Sequence, residues 1–571
     1  MSVPVWLQRL AQRVLFAVAG AAALLSIGLV PAVAQVGAAK IPWGNVACDA
    51  PSAQLPDPAS GPQQCAYIQV PLDYRNPAGQ QIQLAVSIVH ADPAKRRGVL
   101  FLNVGGPGGQ GLNAPRLFYA LLQGTLGQAT ATAVLSQYDL IGFDPRFVGR
   151  STGTTCQMTE QQADQAFPPL EQNHSFAATA AFVKHVADGC AQSNAIPFAT
   201  TANTARDMDL IRQRLGEDKI NYLAWSYGSY LGSVYATLFP NNTDRVVIDS
   251  VVDPNWVWRE QFRSWGSGGA IRWPDFANWA AANDATYHFG NTPDKVTASY
   301  YQLYAKADAN PYPYPDVFSD GTLVNGPVFR ELTFANLEHD SFFPQLAAVW
   351  QAAMSASSGE ASSGEASSGG ASSGGASSSK AGSAAARSAV PASLMPIPVD
   401  NPAASGLSVV CNDVAWSRSP GQYHAEYESD IESYPMFGAL GSNIYPCAYW
   451  STAPLEPPVQ ITSNGPRNIL MLQNLRDPNT PYAGAQEMRS ALGQRAVMVS
   501  VDEGGHAIFG FESNSCVNDA AVAYLGNGVL PAQDTFCAAE ATSTAETQVT
   551  PERLRALRQA ARQISGLPRG R

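Results

Sequence analysis

The sequence is poor in charge and in histidine, and it lacks the spaced ligand sets that hold metals. Only 14% of its 571 residues are charged, and the balance is acidic, with a formal net charge of −11. A chain of that sign gains nothing from nucleic-acid phosphates or from an anionic membrane surface, so neither is expected as a partner. The eight cysteines include no CxxC pair and the seven histidines no HExxH, which argues against a structural or catalytic zinc ion. No cofactor is called for. The glycine-rich stretch at 103–111 lacks the Lys-Ser/Thr ending of a phosphate loop and does not match G-x-G-x-x-G.

Long apolar runs are also scarce. The single one able to span a bilayer, 14–30, follows Arg9 and Arg13 and precedes Pro31-Ala32-Val33-Ala34. A retained anchor is the alternative, but the small residues at Ala32 and Ala34 favour a signal peptide over 1–34, with export to a periplasm or the exterior. Export predicts oxidised cysteines, and an even count fits. Sequence neighbours lie within plausible local loops: Cys48 with Cys65, Cys156 with Cys190, Cys411 with Cys447, Cys516 with Cys537.

What is present is organised around KINYLAWSYGSYLG, where the apolar run 220–225 meets Ser226 and a helix-like segment of small residues. This reads as strand, sharp turn and helix, the arrangement that lifts a serine hydroxyl clear of a sheet. Gly228 supplies the small residue on the helix side, while Ala224 stands where the G-x-S-x-G pattern has its first glycine. Slight crowding of the turn is expected there.

Other segments fit the same plan. Strands at 98–102 and 138–143 and a helix at 204–215, capped by Thr204 and Gly216, alternate ahead of Ser226, as in a mostly parallel sheet. Two antiparallel strands joined by Asn76-Pro77-Ala78-Gly79 come first. The glycines after 102 give bare backbone N–H groups for an oxyanion, one from Gly106 or its neighbour and the other from Tyr227. Asp144, before Pro145 and near Arg146 and Arg150, reads as a structural tie.

A strand at 246–251 follows, and then the pattern breaks. The aromatic-rich region beyond 254 carries helical pieces, and it contains five tandem pentapeptides, ASSGE to ASSSK, over 356–380. With no large apolar side chain these repeats read as a linker without chemistry. The strand pattern resumes at 468–474, followed by Asp477, and at 496–501, followed by His506. The order Ser, Asp, His, with acid and base each just beyond a late strand, is that of a nucleophile, an orienting acid and a general base. Asp502 is the rival acid; Glu503 sits too near the exit of its own strand.

With these residues in hand, the chain resembles the secreted tripeptidyl aminopeptidases and prolyl aminopeptidase-like serine peptidases of the α/β-hydrolase fold. The resemblance rests on GGPGGQG, GFDPRFVGRS, SYGSYLG, RDPNTPYAGA, GGHAIF and the late pair Cys516 and Cys537. Members usually have glycine at the positions of Ala224 and Phe147. The resemblance implies a mostly parallel sheet with a large, mainly helical cap. It also implies that peptides with free N-termini are the substrates and short peptides, typically tripeptides, the products. The expected layout is a signal peptide at 1–34, a hydrolase domain at 35–253, a cap at 254–465 with low-complexity sequence at 355–388, the rest of the hydrolase domain at 466–548, and a basic tail at 549–571. An aminopeptidase needs an acceptor for the substrate ammonium, and Glu260, Asp275 and Asp413 of the cap are the candidates. An esterase on the same machinery is the alternative, since the fold alone does not set the substrate. A non-catalytic binding protein is the third reading.

Overall fold

A computed structural model describes residues 40–356 and 396–540, apart from 45, 47, 49–54, 56, 315–316 and 319–320. The signal-peptide segment, most of the pentapeptide array and the basic tail expected from the sequence lie outside the described residues.

Nine strands form one sheet: β1 Gln64–Pro71, β2 Gln81–Val89, β3 Gly98–Asn103, β4 Tyr138–Phe143, β5 Ile220–Trp225, β6 Thr243–Asp249, β7 Ile469–Arg476, β8 Ala496–Gly504 and β9 Thr535–Cys537. Their spatial order is β1-β2-β4-β3-β5-β6-β7-β8-β9. The pairs β1/β2 and β2/β4 are antiparallel and every later pair is parallel. The late strands extend further than the apolar runs suggest. β7 runs on to Arg476 and β8 to Gly504, so the sheet delivers the following loops one or two residues before Asp477 and His506.

β3, β4 and β5 are buried at every position and mostly apolar because both faces of the sheet are covered. The helices that position the site are α1 Ala114–Leu126, α2 Thr201–Leu215, α3 Tyr227–Leu238, α4 Arg259–Ala282, α5 Asn401–Asp413, α6 Tyr482–Leu492 and α7 Ser515–Asn527. Alternate residues of each strand divide between two cores. Phe101, Tyr222, Ile248 and Met471 pack with Met208 of α2, Leu231 of α3 and Met488 of α6. Leu100, Leu223, Trp225, Val247 and Leu472 pack with Phe118 and Leu121 of α1 and Val517 of α7. The cap has its own aromatic core, with Trp273, Phe276, Tyr300 and Trp350 fully or largely buried.

The helix before β5 begins earlier than the sequence pattern implies. Thr200 is the cap, its hydroxyl accepting the Asn203 N–H, and Thr204 lies inside the helix, bonded back to the Thr200 carbonyl. Thr200 and Thr204 are both capping types, and only tertiary contacts choose between them. Gly216 ends the helix in the left-handed conformation, φ 75°.

Four disulfides join Cys48 to Cys65, Cys156 to Cys190, Cys411 to Cys447 and Cys516 to Cys537. They fit an extracellular protein. Among the described residues no helix is long and apolar enough to cross a membrane.

Cap and sheet meet closely. A methyl group at Gly268 of α4 would lie 2.1 Å from the Pro478 carbonyl oxygen, so only glycine lets this helix rest on the loop that carries Asp477. Arg476 donates to Asp275 of α4 at 2.9 Å and to Asp502 at 2.7 Å, which ties the same loop to the cap from the other side.

Candidate active site

Ser226 stands between β5 and α3 with φ 57° and ψ −127°, a left-handed conformation that costs a non-glycine residue roughly 1–2 kcal/mol. Packing sustains it. Trp225 stacks on Phe118 at 3.8 Å between ring centroids and donates its indole N–H to the Phe509 carbonyl, and the Ser226 N–H donates to the Asp249 carbonyl at 3.0 Å. The Ala224 methyl lies 2.6 Å from where a Cβ at position 228 would be, so Gly228 has no room for a side chain.

Asp477 follows β7 and is fully buried. One carboxylate oxygen accepts the N–H groups of Asn479 and Thr480, and the other accepts the Thr480 hydroxyl. Both oxygens lie 3.0 Å from His506 Nδ1. His506 is itself buried, its N–H donating to the Glu338 carbonyl at 2.8 Å. Burial opposes its charged form, but the Asp477 carboxylate outweighs that, with Glu338 and Asp249 adding to it, and its pKa is raised. His506 Nε2 has no hydrogen-bond partner among the described residues. This is the nitrogen that would receive a serine proton, and in an unliganded site such contacts are commonly loose.

Gly106 and Tyr227 line the same cleft as Ser226. The Gly105 N–H is already given to Asn103 Oδ1 at 3.0 Å and Pro107 has none, which leaves Gly106 as the donor beside them. The remaining wall is aromatic: Phe167, Trp258, Phe262 and Trp265, with Gln261, Asn479 and Thr480. Phe167 and Pro168 come from the segment between β4 and α2, so the cleft wall is not made by the 254–465 insertion alone.

None of the three cap acids offered for the substrate ammonium lines the cleft. Glu260 is exposed and does not line the cleft. Asp275 is occupied by Arg272 and Arg476. Asp413 is buried one layer behind the wall, where it accepts from the Thr201 N–H and hydroxyl and from Trp258 Nε1. Burial raises its pKa to about 6 despite those bonds. Each acid has a polar partner or solvent that the chain order could not reveal. Asp502 pairs with Arg476, and Glu503 accepts from Asn514 and the Glu540 N–H; neither bonds to His506. Asp144 accepts the N–H groups of Leu112 and Arg150, a structural tie, while Arg146 forms a fully buried pair with Asp207 instead.

Two further acids, near Asp477 and His506, are all but unmarked in the sequence. Asp249 accepts the N–H groups of Ile508 and Phe509, and burial raises its pKa to about 7. Glu338 accepts from Asn479 Nδ2 at 2.7 Å, and burial likewise raises it to about 7. The only cue in the sequence is that Asp249 ends a strand next to that of Ser226.

Comparison with known proteins gives the fold and the family. Residues 98–327 match the family model described as alpha/beta hydrolase fold, and residues 434–537 match the one described as TAP-like protein. The chain is 33% identical to a tripeptidyl aminopeptidase of Streptomyces coelicolor over 528 residues, 90% of this chain and 89% of that one. It is 26% identical to the serine protease Hip1 of Mycobacterium tuberculosis over 87% of this chain and 91% of the other. A carboxylesterase B from the same species is 27% identical over 83% and 86%. The chain is a serine hydrolase, and it belongs to the tripeptidyl aminopeptidase family of α/β-hydrolase-fold serine peptidases.

Proposed function

We propose that the protein is an exported exopeptidase that removes short peptides, tripeptides foremost, from free N-termini. Ser226 attacks the scissile carbonyl carbon as His506 Nε2 takes its proton. Asp477 holds the imidazole through Nδ1 and stabilises the imidazolium. The oxyanion is received by the N–H groups of Tyr227 and Gly106, each donor worth roughly 3 kcal/mol in the transition state. His506 then protonates the leaving amine, the new N-terminus of the shortened substrate. Water, deprotonated by the same histidine, hydrolyses the acyl-enzyme and releases the peptide.

One observation carries the reading: the similarity to a tripeptidyl aminopeptidase runs through nine-tenths of both chains, so it includes the cap that governs access as well as the sheet. The similarity to a carboxylesterase over more than four-fifths of each chain keeps ester hydrolysis as the second reading. The test is hydrolysis of a free-amine tripeptide p-nitroanilide, its N-acetylated twin and a short-chain p-nitrophenyl ester by the mature protein and by Ser226→Ala. Cleavage of the free-amine peptide alone, abolished by Ser226→Ala, is the expected result. Ester turnover without peptide cleavage would overturn the peptidase reading in favour of the second.

A further inference from the structure

An aminopeptidase must recognise a cation, yet no residue lining the cleft is charged. Two of them instead carry unsatisfied acceptors. Gln261 and Asn479 are 4% and 7% exposed, and the side-chain carbonyl oxygen of each lacks a hydrogen-bond partner among the described residues. A buried acceptor left unpaired costs roughly 1–3 kcal/mol, so a pair of them lining one cleft needs a reason.

Their amide orientations are fixed by neighbours. Gln261 Nε2 donates to the Asn479 backbone carbonyl at 2.7 Å, and Asn479 Nδ2 donates to the Glu338 carboxylate at 2.7 Å. Turning Gln261 over would set oxygen against a backbone carbonyl, and turning Asn479 over would set oxygen against the ionised Glu338. The carbonyl ends are therefore the ends left unpaired, and a group that meets them is a donor.

The surroundings favour a positive donor. Trp258, Phe262, Trp265 and Phe167 line the same cleft, and aromatic rings attract ammonium groups. Acids stand immediately behind the lining residues, Glu338 behind Asn479 and Asp413 behind Trp258, each joined to them by a hydrogen bond. No arginine or lysine lines the cleft.

We infer that the substrate's α-ammonium group is held by the side-chain carbonyl oxygens of Gln261 and Asn479 within this aromatic wall, in place of a direct carboxylate contact. The inference rests on the aminopeptidase reading and assigns its specificity to a strand-end loop and the first turn of the cap helix α4. Glu338 acts as a positioning residue, fixing the Asn479 amide.

The test compares a free-amine tripeptide p-nitroanilide with its desamino analogue, which lacks the amino group and adds no bulk. It uses the wild-type protein, Gln261→Met, and Asn479→Ser as a second variant that keeps the backbone donors to Asp477. Labelling of Ser226 by a fluorophosphonate identifies variants whose site is assembled. In wild type the free-amine substrate is expected to be favoured. In each labelled variant that preference should fall about tenfold or more, through KM, as expected for loss of a hydrogen bond to a charged group. A wild-type preference that survives intact in the labelled variants overturns the inference and leaves the aminopeptidase reading standing. A labelled wild-type protein with no preference for the free amine overturns both.

Discussion

Ser226 and Asp249 are joined so that one residue sets two loops. The Asp249 carbonyl accepts the Ser226 N–H at 3.0 Å, while its carboxylate accepts the N–H groups of Ile508 and Phe509, two and three residues beyond His506. Ser250 adds a third tie, its hydroxyl accepting the Ala507 N–H at 2.7 Å. The nucleophile turn and the base loop, 280 positions apart in the sequence, are thus fastened to the end of one strand.

Asp249→Ala should therefore cost more than an ordinary truncation, because two buried N–H groups lose their acceptor at roughly 1–3 kcal/mol each. Asp249→Asn keeps a carbonyl oxygen for both and should be mild. The carboxyl pKa is raised from the ordinary 3.8 to about 7, so the stability it contributes is full below about pH 4 and is lost as pH rises through 7. Urea midpoints of the wild type and Asp249→Asn should accordingly differ in the variant's favour more at pH 8 than at pH 5. A difference that is the same at both would refute the ionisation argument.

His506 must be neutral to accept a proton, and its pKa is raised. The acid limb of kcat/KM should then lie above the ordinary histidine value of about 6.5, with activity rising as pH rises through it. In Asp477→Asn the main raising influence is gone, so the limb should move to lower pH while kcat drops by about 10⁴. A pH–rate profile of both proteins measures this. A limb that stays in place after the substitution would mean that another group controls it.

The candidates for the chemistry were more legible in the sequence than those for recognition. Ser226, Asp477 and His506 each follow an apolar strand, and in a parallel sheet the ends of such strands converge, so local patterns are enough to single them out as the proposed nucleophile, acid and base. Gln261, Asn479, Glu338 and Asp249 owe the parts proposed for them to contacts between segments far apart in the chain, and nothing local marks them. Glu260 illustrates the reverse case. Its neighbour Gln261 lines the cleft, and Glu260, one of the three acids offered for the substrate ammonium, is turned to solvent.

Phe147 holds φ at 70° and is buried, 1% exposed, at a position where the backbone conformation favours glycine. Two effects compete. Glycine would relieve backbone strain of roughly 1–2 kcal/mol, while losing a buried phenylalanine costs roughly 3–5 kcal/mol. Burial wins, so Phe147→Gly should destabilise by about 2 kcal/mol. Phe147→Ala should be worse, because it keeps the strain and loses the ring. Chemical denaturation of the two variants gives the order, and alanine being the milder one would show that the strain is not felt.

The departure at Ala224 makes a sharper test, because it couples to Gly228. A Cβ at 228 would lie 2.6 Å from the Ala224 methyl and 2.6 Å from Asn103 Oδ1, both buried, with no slack on either side. Gly228→Ala should therefore displace the start of α3, and with it the Tyr227 N–H and Ser226, abolishing fluorophosphonate labelling at Ser226. Ala224→Gly alone should be tolerated, since it restores the usual small residue and opens only a methyl-sized gap, costing about 1 kcal/mol. Combined, Ala224→Gly removes one of the two clashes met by the new methyl, and Asn103 can yield by moving its amide at the expense of its bond to the Gly105 N–H. Labelling should return in part in the double variant, at a rate below wild type, because the loop bearing Gly106 has been loosened. If the double variant labels no better than Gly228→Ala alone, the crowding lies wholly with Asn103, and the methyl of Ala224 plays no part in shaping the turn.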